Sequence, residues 1–249
     1  MLASTISATL LGVEALPVTV EANSGEKGEP RCILVGLPDA TVKESMDRVS
    51  SSMSNSGYSQ PRTRVTINLA PGDLKKEGAS FDLPIALTLL SAIGNFEPGK
   101  LKDFVIAGEL GLSGEVRKVK GALAMAMMAK AKKKAGIVLP KESAWEASLV
   151  EGISVYPVES LAEAVDFLSG KVSIPVLHKE DTPYVSSNEF DYKIDFSEIK
   201  GQLKLRRAVE VAVAGGHNLL MIGPPGSGKS MVAKRIPSIL PQLKIEEYL

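Results

Sequence analysis

A glycine-rich octapeptide constrains the fold of this chain more than any other feature of the sequence. Gly223-Pro224-Pro225-Gly226-Ser227-Gly228-Lys229-Ser230 matches the pattern G-x-x-x-x-G-K-[ST] at every fixed position. An apolar run at 218–222 precedes it, and helical spacing resumes at Met231. This order predicts a strand, a loop whose backbone amides turn inward, and a helix.

Loops of this kind bind phosphate groups. The glycines let N–H groups surround a triphosphate, Lys229 can reach the β- and γ-phosphates, and the Ser230 hydroxyl can complete a magnesium shell. All eight residues are therefore candidate nucleotide-binding residues, with Ser230 as the metal ligand and ATP and Mg²⁺ as the expected ligands. The alternative, a surface turn rich in glycine and proline, is disfavoured by the strand-then-helix context.

Composition excludes several classes of protein. The 249 residues are 44% hydrophobic, enough for one large core or two, and their formal net charge is zero. Without a net charge, any basic surface for nucleic acid must be local. Cys32 is the only cysteine, which excludes an internal disulfide framework. No signal-peptide pattern or membrane-spanning apolar run is present, so we expect a cytoplasmic protein without membrane contact.

Strand and helix patterns alternate over residues 1–170 and then fade. Strands are predicted at 1–11, 16–22, 31–35, 65–69, 136–139 and 153–156, and helices at 39–55, 83–93, 121–135, 143–150 and 161–168. A hairpin is predicted between 104–110 and 114–119. Residues 171–194 have the composition of a linker. Residues 195–249 form the second predicted domain, with a helix at 199–214.

Several motifs of the N-terminal part resemble one known family. They are Val35-Gly36-Leu37-Pro38-Asp39-Ala40, Asn68-Leu69-Ala70-Pro71, the segment KKEGASFDLPIAL at 75–87, and Gly108-Glu109-Leu110. Together they resemble the YifB/ComM family of magnesium-chelatase-like AAA+ proteins, in order and over nearly the whole chain. The resemblance implies an α+β N-terminal domain of the Lon-protease-like, ribosomal protein S5 domain 2-like fold at 1–170. A truncated start of an α/β P-loop AAA+ domain follows at 195–249.

The family resemblance also implies function. ComM members of the family are hexameric helicases that promote branch migration during natural transformation. The implied parent protein is a homo-hexameric, ATP-driven DNA motor, and this chain alone is expected to turn over no ATP. Two alternatives remain: a non-catalytic DNA-binding or assembly module, and, with less support, a metal-chelatase subunit.

The segment before the glycine-rich loop resembles the opening of magnesium-chelatase-type AAA+ modules. It runs from 195 to 202, and Gly215-Gly216-His217-Asn218 follows the next helix. The resemblance implies that Ile199, Gly201 and Gln202 lie near the adenine. The alternative is a capped surface helix without a binding role.

The Lon-like resemblance raises the question of proteolysis. It places Ser80 at the position of the Lon nucleophile, and it places Leu123 at the position of the catalytic lysine. Because leucine cannot accept a proton, we expect no protease activity. Ser80 is instead predicted to be a helix N-cap, with Asp82 adding negative charge to the first turn.

A basic cluster could contact DNA. Its members are Arg117, Lys118 and Lys120, followed by Lys130, Lys132, Lys133 and Lys134, and the last four are the candidate DNA-binding residues. The alternative is a solvated helix end whose lysines complement the helix dipole. No aromatic residues lie around the cluster, so binding of single strands by base stacking is not indicated.

Overall fold

The computed structural model describes residues 1–26, 28–97, 99–179 and 194–241. Contacts divide the chain into two compact units, Met1–Pro183 and Tyr184–Leu249, here called the N-terminal and C-terminal units. Within the described residues, no helix is long and apolar enough to cross a membrane.

A seven-stranded sheet forms the centre of the N-terminal unit. Its strands are β1 (Leu2–Leu11), β2 (Glu14–Glu26), β3 (Arg31–Val35), β4 (Arg64–Ala70), β5 (Phe104–Ile106), β8 (Gly136–Pro140) and β9 (Ser154–Val158). The strand order is β3-β4-β2-β1-β5-β8-β9, and only β2 runs antiparallel to its neighbours. A separate two-stranded ribbon pairs β6 (Glu109–Leu110) with β7 (Val116–Arg117).

Helices cover both faces of this sheet. They are α1 (Ala40–Asn55), α2 (Asp82–Ala92), α3 (Ala122–Ala131), α4 (Lys141–Ala147) and α5 (Leu161–Leu168). One hydrophobic cluster contains residues of α1, α2 and α5 with Ile106 and Val138, and a second contains residues of α3 and α4 with Val105 and Ile137. Because successive strand residues point to opposite faces, these clusters lie on opposite sides of the sheet.

The predicted mixture of helices and strands is confirmed, but the class differs from α+β. A mostly parallel sheet with helices on both faces is an α/β arrangement. A strand covered on both faces is expected to be a continuous apolar run, and β8 (GIVLP at 136–140) is one, with every residue buried. The apolar helix predicted at 83–93 is likewise buried along its whole length as α2.

Several predicted element boundaries are wrong. Instead of one long hairpin, β5 joins the main sheet and only the short β6 and β7 pair with each other. The helix predicted at 121–135 ends at Ala131, because Lys133 adopts a positive φ of 53° that helices do not tolerate. Ser80 is not an N-cap: it lies inside a 3₁₀ turn, Ala79–Phe81, and Phe81 precedes α2.

The predicted linker begins as a packed segment. Ile174 is buried in the cluster of the α1, α2 and α5 face, and the Leu177 amide donates to the Val155 carbonyl at 2.9 Å. Residues 180–193, which make up the rest of the predicted linker, lie outside the described residues.

The described residues of the C-terminal unit form two helices and two 3₁₀ turns. Its elements are the 3₁₀ turn Phe196–Glu198, α6 (Leu203–Ala214), α7 (Lys229–Arg235) and the 3₁₀ turn Ile236–Ile239. The helix predicted at 199–214 therefore begins four residues later. Residues 218–222 form no strand, and Leu220 and Ile222 are 82% and 89% exposed. A strand needs a hydrogen-bonding neighbour, and the described residues of this unit provide none.

Candidate nucleotide-binding site

A small hydrophobic cluster holds the glycine-rich loop between α6 and α7. Phe196, Ile199, Val209 and Val232 are buried together, which fixes the 3₁₀ turn at 196–198 and both helices around one centre. The octapeptide connects the end of the exposed 218–222 segment to the first turn of α7. The loop is therefore anchored firmly on its α7 side.

Two glycines allow the loop to turn into α7. Gly226 and Gly228 have positive φ values of 81° and 88°, a region that residues with a β-carbon rarely adopt. Gly228 is the residue immediately before α7, so Lys229 is the first helical residue. This geometry points the Lys229 side chain back over the loop.

Lys229 occupies the centre of the loop. Its ammonium donates to the carbonyl oxygens of Gly223 at 2.7 Å and Pro224 at 2.8 Å, and to the Ser227 hydroxyl at 3.2 Å. All three acceptors are neutral, and no carboxylate of the described residues pairs with this lysine. The loop thus holds a positive charge without a negative partner, which suits an anionic phosphate group.

Ser230 is exposed on the first turn of α7. The described residues contain no group of three or more His, Cys, Asp or Glu side chains that could hold a metal ion by themselves. Mg²⁺ commonly takes only one or two protein ligands and completes its shell with phosphates and water. A single hydroxyl at Ser230 fits a nucleotide-bound magnesium better than a metal site made by protein alone.

The segment predicted to lie near the adenine does contact the loop. The Gln202 side-chain amide donates to the Ser227 carbonyl at 3.4 Å. Gly201 is exposed, whereas Ile199 is only 1% exposed and packs in the hydrophobic cluster. Gln202 therefore lies beside the loop, while the Ile199 side chain packs in the cluster between the 3₁₀ turn, α6 and α7.

An ion pair that the sequence did not predict joins the 196–198 turn to α7. Glu198 accepts from the Arg235 guanidinium, with Nη2–Oε2 at 2.5 Å and Nε–Oε2 at 3.1 Å. These hydrogen bonds lower the pKa of the Glu198 carboxyl. Asp195 and Glu198 also form a reciprocal capping box. The D-x-x-E spacing at 195–198 was a visible signal for the cap, but nothing in the sequence pointed to Arg235.

Comparisons with known proteins show the family of this chain. A family model described as subunit ChlI of Mg-chelatase matches residues 20–143, and one described as magnesium chelatase, subunit ChlI, matches residues 195–249. Competence protein ComM of Haemophilus influenzae is 40% identical over 246 residues, which is 97% of this chain and 47% of ComM. YifB of Escherichia coli is 44% identical over 239 residues, which is 96% of this chain and 46% of YifB. The chain belongs to the YifB/ComM family.

The chain spans about half the length of these YifB/ComM relatives. A shorter similarity links it to the DNA repair protein RadA of Aquifex aeolicus, at 38% identity over 108 residues, covering 42% of this chain and 22% of RadA.

The YifB/ComM motifs of the N-terminal unit lie side by side. The Asp39 amide donates to the Lys76 carbonyl at 3.2 Å, and Pro38 and Lys76 form a β-bridge. The Gly108 amide donates to the Ser80 carbonyl, and the Leu83 amide donates to the Gly108 carbonyl, both at 2.9 Å. Segments distant in sequence thus meet at one junction.

A buried lysine and a buried carboxylate, paired with a partly exposed arginine, lie at this junction. Lys76 is fully buried, its ammonium donates to the Pro71 carbonyl, and burial lowers its pKa. Asp82, also fully buried, accepts from Arg48 Nε at 2.6 Å and Nη2 at 3.0 Å, and from the Leu110 amide at 3.2 Å. None of these contacts was visible in the sequence.

The positions that resemble the Lon catalytic pair belong to opposite faces of the sheet. Ser80 precedes α2, whose residues pack in the cluster of the α1, α2 and α5 face. Leu123 lies on α3 and packs, partly exposed, against the cluster on the other face. Leu123 offers no proton acceptor to Ser80.

The structure divides the predicted basic cluster. Arg117, Lys118 and Lys120 precede α3, whereas Lys130 to Lys134 lie at its far end. A ten-residue helix separates the two groups, a rise of about 15 Å. At the far end Lys130, Lys132 and Lys133 are exposed, and Lys134 donates to the Lys102 carbonyl at 2.7 Å.

Proposed function

We propose that this chain carries the N-terminal domain and the first part of the ATPase module of an ATP-driven DNA motor of the YifB/ComM type. The proposed parent is a cytoplasmic homo-hexamer that acts on DNA during uptake or recombination. The N-terminal domain at 1–170 is proposed to have the Lon-like, S5 domain 2-like fold, and 195–249 to open the AAA+ module.

The observation that carries this proposal is the environment of Lys229. An ammonium held by neutral oxygens at the centre of a G-x-x-x-x-G-K-S loop is suited to the β- and γ-phosphates of ATP. Ser230 would hold the Mg²⁺ of a bound nucleotide, and that ion would supply positive charge for phosphoryl transfer. Gln202, which contacts the loop, and the adjacent Gly201 are proposed to border the adenine.

The DNA part of the proposal has separate support. The names of two similar proteins, competence protein ComM and DNA repair protein RadA, refer to processes of DNA. In this chain, Lys130, Lys132, Lys133 and Lys134 form a basic group at one end of α3, suited to phosphate contacts. This group is also the basis of the second candidate function, a DNA-binding module without catalysis.

A chimera tests the motor proposal. In it, the part of Escherichia coli YifB that matches this chain is replaced by residues 1–249. We expect DNA-stimulated phosphate release, and Lys229→Ala should lower its rate about 100-fold because the γ-phosphate loses its lysine. Lys234→Ala, a charge removed from the other end of α7, should leave the rate within about twofold.

One outcome of the chimera experiment would contradict the motor proposal. Both variants must unfold in one cooperative transition at the same temperature as the parent chimera. If the folded chimera then releases phosphate no faster than its Lys229→Ala variant, the motor proposal is wrong. If it binds DNA with the affinity of YifB under those conditions, the non-catalytic DNA-binding function takes its place.

A further inference from the structure

One edge of the main sheet gathers basic side chains from many parts of the sequence. Six strands run in the same direction, so their amino-terminal ends meet at one edge, together with the carboxyl end of the antiparallel β2. We call this the basic edge. Its basic residues are Arg31, Arg62, Arg64, Lys100, Lys102, Lys130, Lys132, Lys133 and Lys134.

The strand register places basic residues at both sides of this edge. At one side of the sheet, Arg31 on β3 lies opposite Arg64 on β4. At the other side, Lys102 lies two residues before β5, and Lys134 lies two residues before β8, its neighbour. The hydrogen bond from the Lys134 ammonium to the Lys102 carbonyl, at 2.7 Å, joins these two segments. The basic edge therefore has an arginine end and a lysine end.

The basic edge has the length of a short stretch of duplex. The strand order separates β3 from β8 by five strand spacings, or about 24 Å at the usual distance between strands. Duplex DNA rises about 3.4 Å per base pair, so about seven base pairs cover the same distance. Between the two ends, a cleft of about 520 Å³ opens along the edge. Its lining includes Ser24, Gln60, Arg62 and Asn95, whose polar groups suit phosphate oxygens.

The basic edge differs from the opposite edge in how its charges are paired. At the opposite edge, Lys75, Arg117 and Lys141 form ion pairs with neighbouring glutamates. Within the described residues, no ion pair is formed by Arg31, Arg62, Lys100, Lys102, Lys130, Lys132 or Lys133. The acidic residues on the basic edge are fewer: Glu26, Glu29, Glu97, Asp103 and Glu151, together with Asp166, which pairs with Lys171. The net charge of this edge is therefore positive although that of the chain is zero.

We propose that the basic edge binds the phosphate backbone of duplex DNA along its whole length, from the arginine end to the lysine end. This inference rests on the proposed function and specifies where the N-terminal unit meets its substrate. A straight polyanion matches a row of cations better than a small anion does, because a small anion would leave most of the row unpaired. The contacts are to phosphates, so binding depends on salt and not on base sequence.

Three double variants of the 249-residue chain test the proposal. Arg31→Gln/Arg62→Gln neutralises the arginine end, and Lys132→Gln/Lys133→Gln neutralises the lysine end. Lys118→Gln/Lys120→Gln is the control, since it removes the same charge from exposed residues of the opposite edge. Affinity for a fluorescent DNA hairpin with a 12-base-pair stem is measured by anisotropy over a salt series, about 50 to 200 mM.

Both edge variants should raise the Kd about tenfold at the lowest salt concentration, and each should reduce the slope of log Kd against log salt by about two. The control should stay within about twofold of the wild type. The proposal is overturned if either edge variant matches the control, since a loss at the lysine end alone would confine binding to the end of α3. It is also overturned if the chain binds no duplex, or if it binds phosphatidylserine vesicles in preference to the hairpin.

A second measurement separates rejection of the basic edge from rejection of the proposed motor function. Binding of Mg·ATP at Lys229 is measured on the same four proteins without DNA. Unchanged ATP affinity together with absent edge effects would reject only the basic edge. Absent ATP binding with intact edge effects would reject the motor and retain the DNA surface.

Discussion

Replacing Arg48 with methionine should lower the free energy of unfolding of the N-terminal unit by about 3 kcal/mol. The Asp82 carboxylate is fully buried, and two of its hydrogen bonds come from the Arg48 guanidinium at 2.6 and 3.0 Å. In the variant, only the Leu110 amide at 3.2 Å remains, among the described residues, to donate a hydrogen bond to this buried charge. Urea denaturation followed by circular dichroism measures the change.

Two further variants separate the buried charge from general damage. Lys141→Met breaks an exposed ion pair with Glu159 and should cost less than about 1 kcal/mol. The double variant Arg48→Met/Asp82→Leu removes both charges and should recover at least half of the loss, since no buried ion is left unpaired. If the double variant is no more stable than Arg48→Met, the buried carboxylate does not explain the effect.

Replacing Gly36 with alanine should cost about 4 kcal/mol or more, or prevent folding of the N-terminal unit. A β-carbon on Gly36 would lie 2.1 Å from the Leu69 carbonyl oxygen, which belongs to the backbone of β4 and cannot rotate away. The φ of Gly36 is also positive, at 102°. The clash would separate the 35–40 motif from β4 and from Lys76.

Gly57→Ala is the matched control for this substitution. Gly57 also has a positive φ, 80°, but a β-carbon there meets nothing within 4 Å. It should therefore cost only the conformational penalty, about 1 kcal/mol. Thermal unfolding of both variants checks the difference. Equal losses would show that the close approach to Leu69 is unimportant and that backbone conformation alone matters at Gly36.

The elements predicted correctly are those whose signal lies within a few residues. The apolar segment of α2 could only be a buried helix, and the strand at 65–69 showed β-rich residues that the alternating burial of β4 confirms. Helical spacing from Met231 predicted α7, which begins two residues earlier, at Lys229. Each of these depends on local spacing and not on contacts far along the chain.

The wrong predictions concern elements that depend on distant partners. Residues 218–222 have the composition of a strand but lack a neighbouring strand in the described part of the C-terminal unit, so their apolar side chains remain exposed. Phe104–Ile106 does not form the predicted hairpin, because it pairs in parallel with β1 and β8 instead.

The candidate site also has one part that the sequence predicts and another that depends on distant contacts. The octapeptide could be predicted from sequence because its eight residues are consecutive. The contact between Gln202 and Ser227 and the pair between Glu198 and Arg235 join residues far apart in the chain, and only the structure reveals them. The basic edge likewise depends on strand order, which the sequence did not specify.

We propose that the loop at 223–230 binds a nucleoside triphosphate through Lys229. Isothermal titration of the 249-residue chain with Mg·ATP tests it most directly, beside Lys229→Ala and the control Lys234→Ala. We expect the wild-type chain to show saturable binding at one site. Lys229→Ala should raise the Kd for Mg·ATP about 30-fold or more, and the control should change this Kd by less than about twofold. Equal affinities for the wild type and Lys229→Ala, or no saturable binding by the folded chain, would contradict it.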